Sequence, residues 1–319
     1  MPGYLMLLAP SANRVYAGSA PQLAVAELKA TCPGAFDVEP VELAGVPYLA
    51  FTADEGALDM VALQSGCFAL FEHREGLLRP VELPKVFRFP DDLVTIPKYQ
   101  GKTNEQFTQL LLNVTLGAVT READGRRQVL DPMAGRGTTL STALRQGHDA
   151  YGVELDDKAF EAAASFWKSY FRRKRMKHTA DVTPVKRNGR AVGRRLDLRV
   201  DGLTATMFTG DARDSAQLFG KKRFDAVVTD APYGVAHGAT SDSGRHRSPA
   251  ELLAEAIPVW AGQLKHGGAL GVAWNTFGLS RDDLSALCES AGLRVVDGEE
   301  FAHRVDASIK RDVLVARKP

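Results

Sequence analysis

Apolar residues recur along this chain in two rhythms. Between 104 and 118 they stand at helical spacing, as Phe107, Leu110, Leu111, Val114 and Ala118, so a helix with one buried face is expected there. Thr103 followed by Gln106 fits a capping box and sets the start near 104. Beyond it, short apolar runs alternate with helical stretches. QVLDPM (128–133), AYGVEL (150–155), TATMFTG (204–210), FDAVVTD (224–230) and GALGVAWN (268–275) read as strands. Helices are expected at 137–146, 157–174, near 211–219, 249–264 and 280–292, the last opened by Ser280 and closed by Gly292. LRVVDGEEFAHRV and DVLVARK read as a terminal antiparallel pair. Such alternation predicts a mostly parallel, doubly wound, Rossmann-like α/β sheet. The first 84 residues read separately as a small N-terminal α+β domain, with strands at 4–9, 45–53 and 77–84 and helices at 20–31 and 56–71. Pro84, Pro90 and Pro97 mark 85–97 as a linker to the main domain, 98–319.

Composition narrows the class. The 319 residues are 45% hydrophobic and 25% charged, ordinary for a globular protein. No apolar run reaches the ~18 residues of a membrane span, and no basic n-region precedes the first apolar patch, so a soluble cytoplasmic protein is expected. Cys32, Cys67 and Cys288 are scattered without CxxC spacing, which suits a reducing compartment. The seven histidines show no metal-ligand spacing, and no metal is expected. Net charge is +1, yet residues 168–199 hold twelve Lys and Arg against Asp181 and Asp197. This basic insert (172–199 at its densest) points to an acidic partner such as nucleic acid. A solvated loop is the plainer reading of the same charges.

The chemistry concentrates at strand ends. Asp131-Pro132 and then Gly135, Gly137 and Thr138 sit where the first main-domain strand meets its helix. The loop has neither a P-loop Gly-Lys-Ser/Thr nor GxGxxG. An acid before the glycines would repel a pyrophosphate and suits a cationic ligand, such as the amino and sulfonium groups of S-adenosylmethionine. Glu154, ending the next strand, can accept both hydroxyls of a ribose. Asp211-Ala212, after the third, can hold an adenine amino group. Thr103 and Phe107 lie on a helix that could reach over such a ligand. These acids can equally be helix caps, and Phe107 plain core.

The fourth strand ends in Asp230-Ala231-Pro232-Tyr233-Gly234. Pro232 keeps Ala231 extended, which can turn its carbonyl beside the Asp230 carboxylate. Two acceptors side by side match the two hydrogens of an exocyclic base amine, and Tyr233 can stack on the base. A β-turn with a capping acid is the bland alternative. His237, Arg245 and His246 follow in a Gly/Ser-rich stretch that can close over a substrate, while Trp274 and Asn275 are expected mainly to serve the core.

GKTN (101–104), DPMAGRGTTL, GVELD and DAPYG, in this order, resemble the THUMP-associated tRNA guanosine N2-methyltransferase family of Rossmann-like S-adenosylmethionine-dependent enzymes. The resemblance covers about 98–240 well and 250–317 loosely. It implies a seven-stranded sheet with an antiparallel last strand. It places Asp131, Gly135 and Gly137 on the methionine part of the cofactor, Glu154 on the ribose, Asp211 near adenine, and Asp230 to Tyr233 on the target base. The family usually has a second proline where this chain has Ala231, and its N-terminal region is longer. The expected activity is methylation of a nucleobase amine, guanine N2 in tRNA first, with RNA bound through the basic insert and the N-terminal domain. DNA adenine-N6 or cytosine-N4 methylation, or a non-catalytic RNA-binding subunit, remain open.

Overall fold

The computed structural model describes residues 1–11, 13–99, 101–121, 125–187, 190–233 and 248–319. Its first sheet comprises β1 (Gly3–Leu8), β2 (Ala35–Leu43), β3 (Val46–Ala53), β4 (Cys67–Arg74) and β5 (Leu77–Val81). The order is β2-β3-β1-β4-β5, with every neighbouring pair antiparallel. Helix α1 (Arg14–Thr31) packs Ala24 and Leu28 with Tyr4, Met6, Leu49 and Leu70 of this sheet.

Local structure here departs from the periodicity in three places. The helix expected at 20–31 begins six residues earlier, because the Asn13 side chain accepts the Val15 and Tyr16 N–H groups and caps it. β2 was not expected: it is an edge strand in which Val38 is buried and most side chains are exposed, so it carries no apolar alternation. The helix expected over 56–71 is broken. α2 (Leu58–Leu63) stops at Gln64, and Cys67–Arg74 becomes β4, hydrogen-bonded between β1 and β5. Pairing on both edges overrides a helical spacing of Ala, Leu and Phe.

Residues 85–97 run against the main unit. The Arg88 N–H donates to the Arg145 carbonyl at 2.7 Å, Phe89 is buried, and α3 (Asp92–Thr95) buries Leu93. Helix α4 (Glu105–Gly117) then joins the two sheets. Its Gln109 and Asn113 amides donate to Leu63 O at 2.8 and 2.7 Å, and Asn113 also donates to the buried Glu27 carboxylate at 2.6 Å.

The second sheet, ten strands among the described residues, is the doubly wound one. It contains β6 (Gln128–Asp131), β7 (Asp149–Glu154), β8 (His178–Arg187), β9 (Arg190–Val200), β10 (Leu203–Thr209), β11 (Phe224–Asp230), β12 (Leu264–Asn275), β13 (Arg294–Val295), β14 (His303–Arg304) and β15 (Lys310–Arg317). Seven of them, β13-β15-β12-β11-β6-β7-β10, form the expected sheet, with β6, β7, β10, β11 and β12 parallel and β15 antiparallel. β14 pairs with β15. Successive residues alternate between two cores. Val129, Ala150 and Ala226 face α4, α5 (Thr138–Arg145) and α6 (Asp157–Arg173). Leu130, Tyr151 and Val227 face α7 (Ser215–Phe219), α8 (Pro249–Gln263) and α9 (Arg281–Ser290). α4 lies so close to β12 that a Cβ on Gly271 would stand 1.8 Å from Thr115 Oγ1.

The basic segment extends the sheet beyond β10 as the β8–β9 hairpin; it is not a loop insert. Leu196, Leu198 and Val200 are buried in the core shared with α6, and Arg195 and Arg199, alternating with them, are exposed. No helix of the described residues is long and apolar enough to cross a membrane.

Candidate active site

The carboxyl ends of the parallel strands carry the candidate groups, and the glycine loop follows from its backbone. Gly135 and Gly137 hold φ of 54° and 82°, a region that disfavours other residues. A Cβ on Gly137 would also press on the Trp167 ring at 3.1 Å. The loop ends at α5, whose first-turn N–H groups and positive dipole end face the strand ends.

Asp131 is 2% exposed. Its Oδ1 accepts the Met133 N–H and the Thr229 hydroxyl, both at 3.0 Å. Burial pushes its carboxyl up to about 7. It therefore shapes the loop and ties it to β11, withdrawn from solvent, with Pro132 buried beside it. Glu154 is arranged differently. Its Oε2 accepts the Gly135 N–H and its Oε1 the Asp156 N–H, each at 2.7 Å. Burial raises this carboxyl, and those two N–H groups oppose the rise. Each oxygen has a second lone pair that can serve a diol. The Thr138 hydroxyl lies 3.1 Å from the Tyr99 hydroxyl, and the Arg136 guanidinium stands 4.5 Å over the Tyr99 ring.

The Asp211 carboxylate takes both arms of Arg213, at 2.8 and 2.5 Å, and Arg213 reaches on to Glu255 at 2.6 Å. Ala212 is buried, and its carbonyl accepts the Trp260 indole N–H at 3.1 Å. Both help to anchor the β10 end to α8.

At the end of β11, Asp230 Oδ2 accepts the Thr103 hydroxyl at 2.5 Å, and Oδ1 accepts the Tyr233 hydroxyl. Burial, then the Asp230 charge, drives the Tyr233 hydroxyl well above its ordinary value, so it stays protonated and donating. Ala231 is 2% exposed, and its N–H donates to Ala273 O at 2.8 Å. This leaves Asp230 a fixed carboxylate, hydrogen-bonded once on each oxygen by the described residues, able to accept a further donor.

Thr103 and Phe107, near α4, differ from expectation. Asn104 caps the helix, with its Oδ1 accepting the Gln106 and Phe107 N–H groups at 2.8 and 3.1 Å, so Thr103 is released to bind Asp230. Phe107 does not reach over the strand ends: it is fully buried, with the Arg311 guanidinium 4.2 Å above its ring and His303 beside it. Lys102 donates to Val94 O at 2.7 Å and pairs with Glu105 at 3.0 Å. Trp274 and Asn275 are buried, and each hydrogen-bonds to nearby backbone. Gly234, His237, Arg245 and His246 lie outside the described residues. No group of three or more His, Cys, Asp or Glu among the described residues is placed to hold a metal ion. Sequence reasoning missed Tyr99 and Arg311; nothing local singles out Arg311 among the charged residues that open its strand.

No protein-family model matches the chain, and a search of curated proteins finds no match. Among solved structures, TrmN from Thermus thermophilus is similar at TM-score 0.44 and 16% identity, over 88% of this chain and 59% of that one. The T. thermophilus 16S rRNA N2 G1207 methyltransferase RsmC, in complex with AdoMet and guanosine, aligns at TM-score 0.38 and 18% identity, over 88% of this chain and 58% of that one. A TehB-like SAM-dependent methyltransferase from Corynebacterium glutamicum aligns at TM-score 0.38 and 18% identity, over 62% of this chain and 83% of that one. This chain thus spans under two thirds of the length of TrmN and of RsmC.

Proposed function

We propose that this protein is an S-adenosylmethionine-dependent methyltransferase acting on an exocyclic amino group of a nucleobase, guanine N2 of an RNA and first of a tRNA. The carrying observation is the Asp230 carboxylate, fixed by Thr103 and Tyr233 at the end of β11, two strands from Glu154 across the glycine loop.

The donor set fits the cofactor. Glu154 has lone pairs to spare for the ribose hydroxyls, and the positive-φ glycines let a ligand approach the backbone. Gly135, Gly137 and Thr138 would line the methionine part over a floor made by Asp131 and Pro132, while Asp211 and Ala212 stand at the adenine end. When bound, S-adenosylmethionine supplies a methyl group on an electrophilic sulfonium. The chain's own residues prepare the amine. Asp230 accepts one N–H and the Ala231 carbonyl the other, Pro232 holds the turn, and the nitrogen is drawn toward a pyramidal shape with its lone pair in line. As nitrogen gains the methyl group, the carboxylate stabilises its developing positive charge. The new carbon–nitrogen bond would replace the sulfonium's carbon–sulfur bond, and the extra proton would then pass from the acidic ammonium to solvent. Positioning does most of the remaining work.

RNA is proposed over DNA on the motif resemblance, and the charge of one edge supports a nucleic-acid partner of either kind. Arg172, Arg173, Arg175, Lys177, Lys186 and Arg199 are exposed there and suit phosphate contacts, with the N-terminal sheet as a second RNA surface. The three free cysteines suit a reducing, cytoplasmic setting. Transfer of labelled methyl to total tRNA, rRNA and DNA tests the reading; label in DNA alone, or in no polymer, rejects it.

A further inference from the structure

The proposed mechanism needs Asp230 charged and aimed, and a buried cation lies behind it. Arg311 sits on β15, where alternation puts it with Val313 and Val315 on the α4 side of the sheet. Asp312 points to the other side, into the hands of Arg281 at 2.7 Å. Arg311 is 5% exposed. Its guanidinium carbon stands 4.2 Å from the Phe107 ring centroid and 5.1 Å from that of Tyr233, and Nη2 lies 4.0 Å from Asp230 Oδ2. Among the described residues the Nε has no hydrogen-bond partner. A guanidinium so deeply buried is costly unless a charge answers it.

The other groups around Asp230 do not supply that charge. The Tyr233 phenol donates to the carboxylate and stays neutral. His303, across the β14–β15 pair, is pushed by burial toward its neutral form. On the α4 entrance Lys102 is paired with Glu105. On β6, Asp131 is bonded to Thr229, next to Asp230 in sequence.

We infer that Arg311 is a positioning residue for Asp230: wedged between the Phe107 and Tyr233 rings, its fixed guanidinium holds the carboxylate turned toward the substrate amine. The inference rests on the function proposed above, and its test separates the two. A melting-temperature cycle of Arg311→Met, Asp230→Asn and the double variant needs no activity. The double variant should lose at least about 3 °C less than the sum of the singles. In transfer assays Arg311→Met should lower kcat about 10–100-fold with both KM values within about twofold, and Arg311→Lys should recover most of it. Arg311→Gln takes the place of Arg311→Met should that variant not fold. Additive melting losses, or a wild-type kcat in the neutral variant, overturn the inference. A wild-type protein that methylates no nucleic acid sinks the proposed function, and the melting cycle then decides the pairing alone.

Discussion

The Thr103 hydroxyl donates to Asp230 Oδ2 at 2.5 Å, joining positions 127 residues apart. The bond exists because Asn104, one residue later, takes over the capping of α4. It sets one carboxylate oxygen while Tyr233 sets the other, so the acceptor is built before any substrate arrives.

Thr103→Val keeps the shape and removes the donor. The account predicts a kcat lower by about tenfold with cofactor affinity unchanged, measured by steady-state transfer and calorimetry. Unchanged turnover would show that the bond is incidental.

Glu154→Gln replaces an oxygen acceptor with an amide nitrogen at the proposed ribose site and sets a donor against the Gly135 or Asp156 N–H. Affinity for S-adenosylmethionine should fall at least about tenfold by calorimetry, equivalent to about 1.4 kcal/mol. An equal affinity would remove Glu154 from the cofactor site.

Gly271→Ala drives a methyl group into Thr115, whose hydroxyl bonds the Leu111 carbonyl at 2.7 Å. Overpacking between α4 and β12 should cost about 1–3 kcal/mol in urea denaturation. Adding Thr115→Ala should restore part of it; a fully stable single variant contradicts the tight α4 seat.

The parallel strands were legible in the sequence because each is a short apolar run closed by a polar residue or glycine, and Asp230 stood out as an acid two residues before proline at such an end. The edge strands were not. β2 is mostly exposed, and β4 carries an apolar pattern whose strand state depends on pairing with the distant β1 as well as with its hairpin partner β5. Phe107 reads as helical core and is core; that Arg311 lies over it is a tertiary fact with no local trace. The basic segment showed its charge, while its sheet register depends on Leu196 and Leu198 meeting α6.

Acidity should affect stability in a definite direction. Glu27 is fully buried between α1 and α4, and burial pushes its carboxyl up to about 7, as it does for Asp131. Both folded values lie above the ordinary ones, so the folded chain keeps protons that the unfolded chain has released. That contribution is complete below about pH 4 and is lost as pH rises through about 7. Together the two carboxyls should make the stability from chemical denaturation about 3 kcal/mol lower at pH 8 than at pH 6. Glu27→Gln should flatten its share of the slope and leave that of Asp131. A variant with the full wild-type slope would assign the titration elsewhere.

The central claim is that Asp230 accepts the hydrogens of a guanine amine in RNA. Its most direct measurement is nucleoside mass spectrometry of tRNA and rRNA after incubation with S-adenosylmethionine, wild type beside Asp230→Ala. The account predicts N2-methylguanosine from the wild type and none from Asp230→Ala, which should still bind the cofactor. Methyl groups on another atom, or an Asp230→Ala protein that still methylates at the wild-type rate, would contradict it.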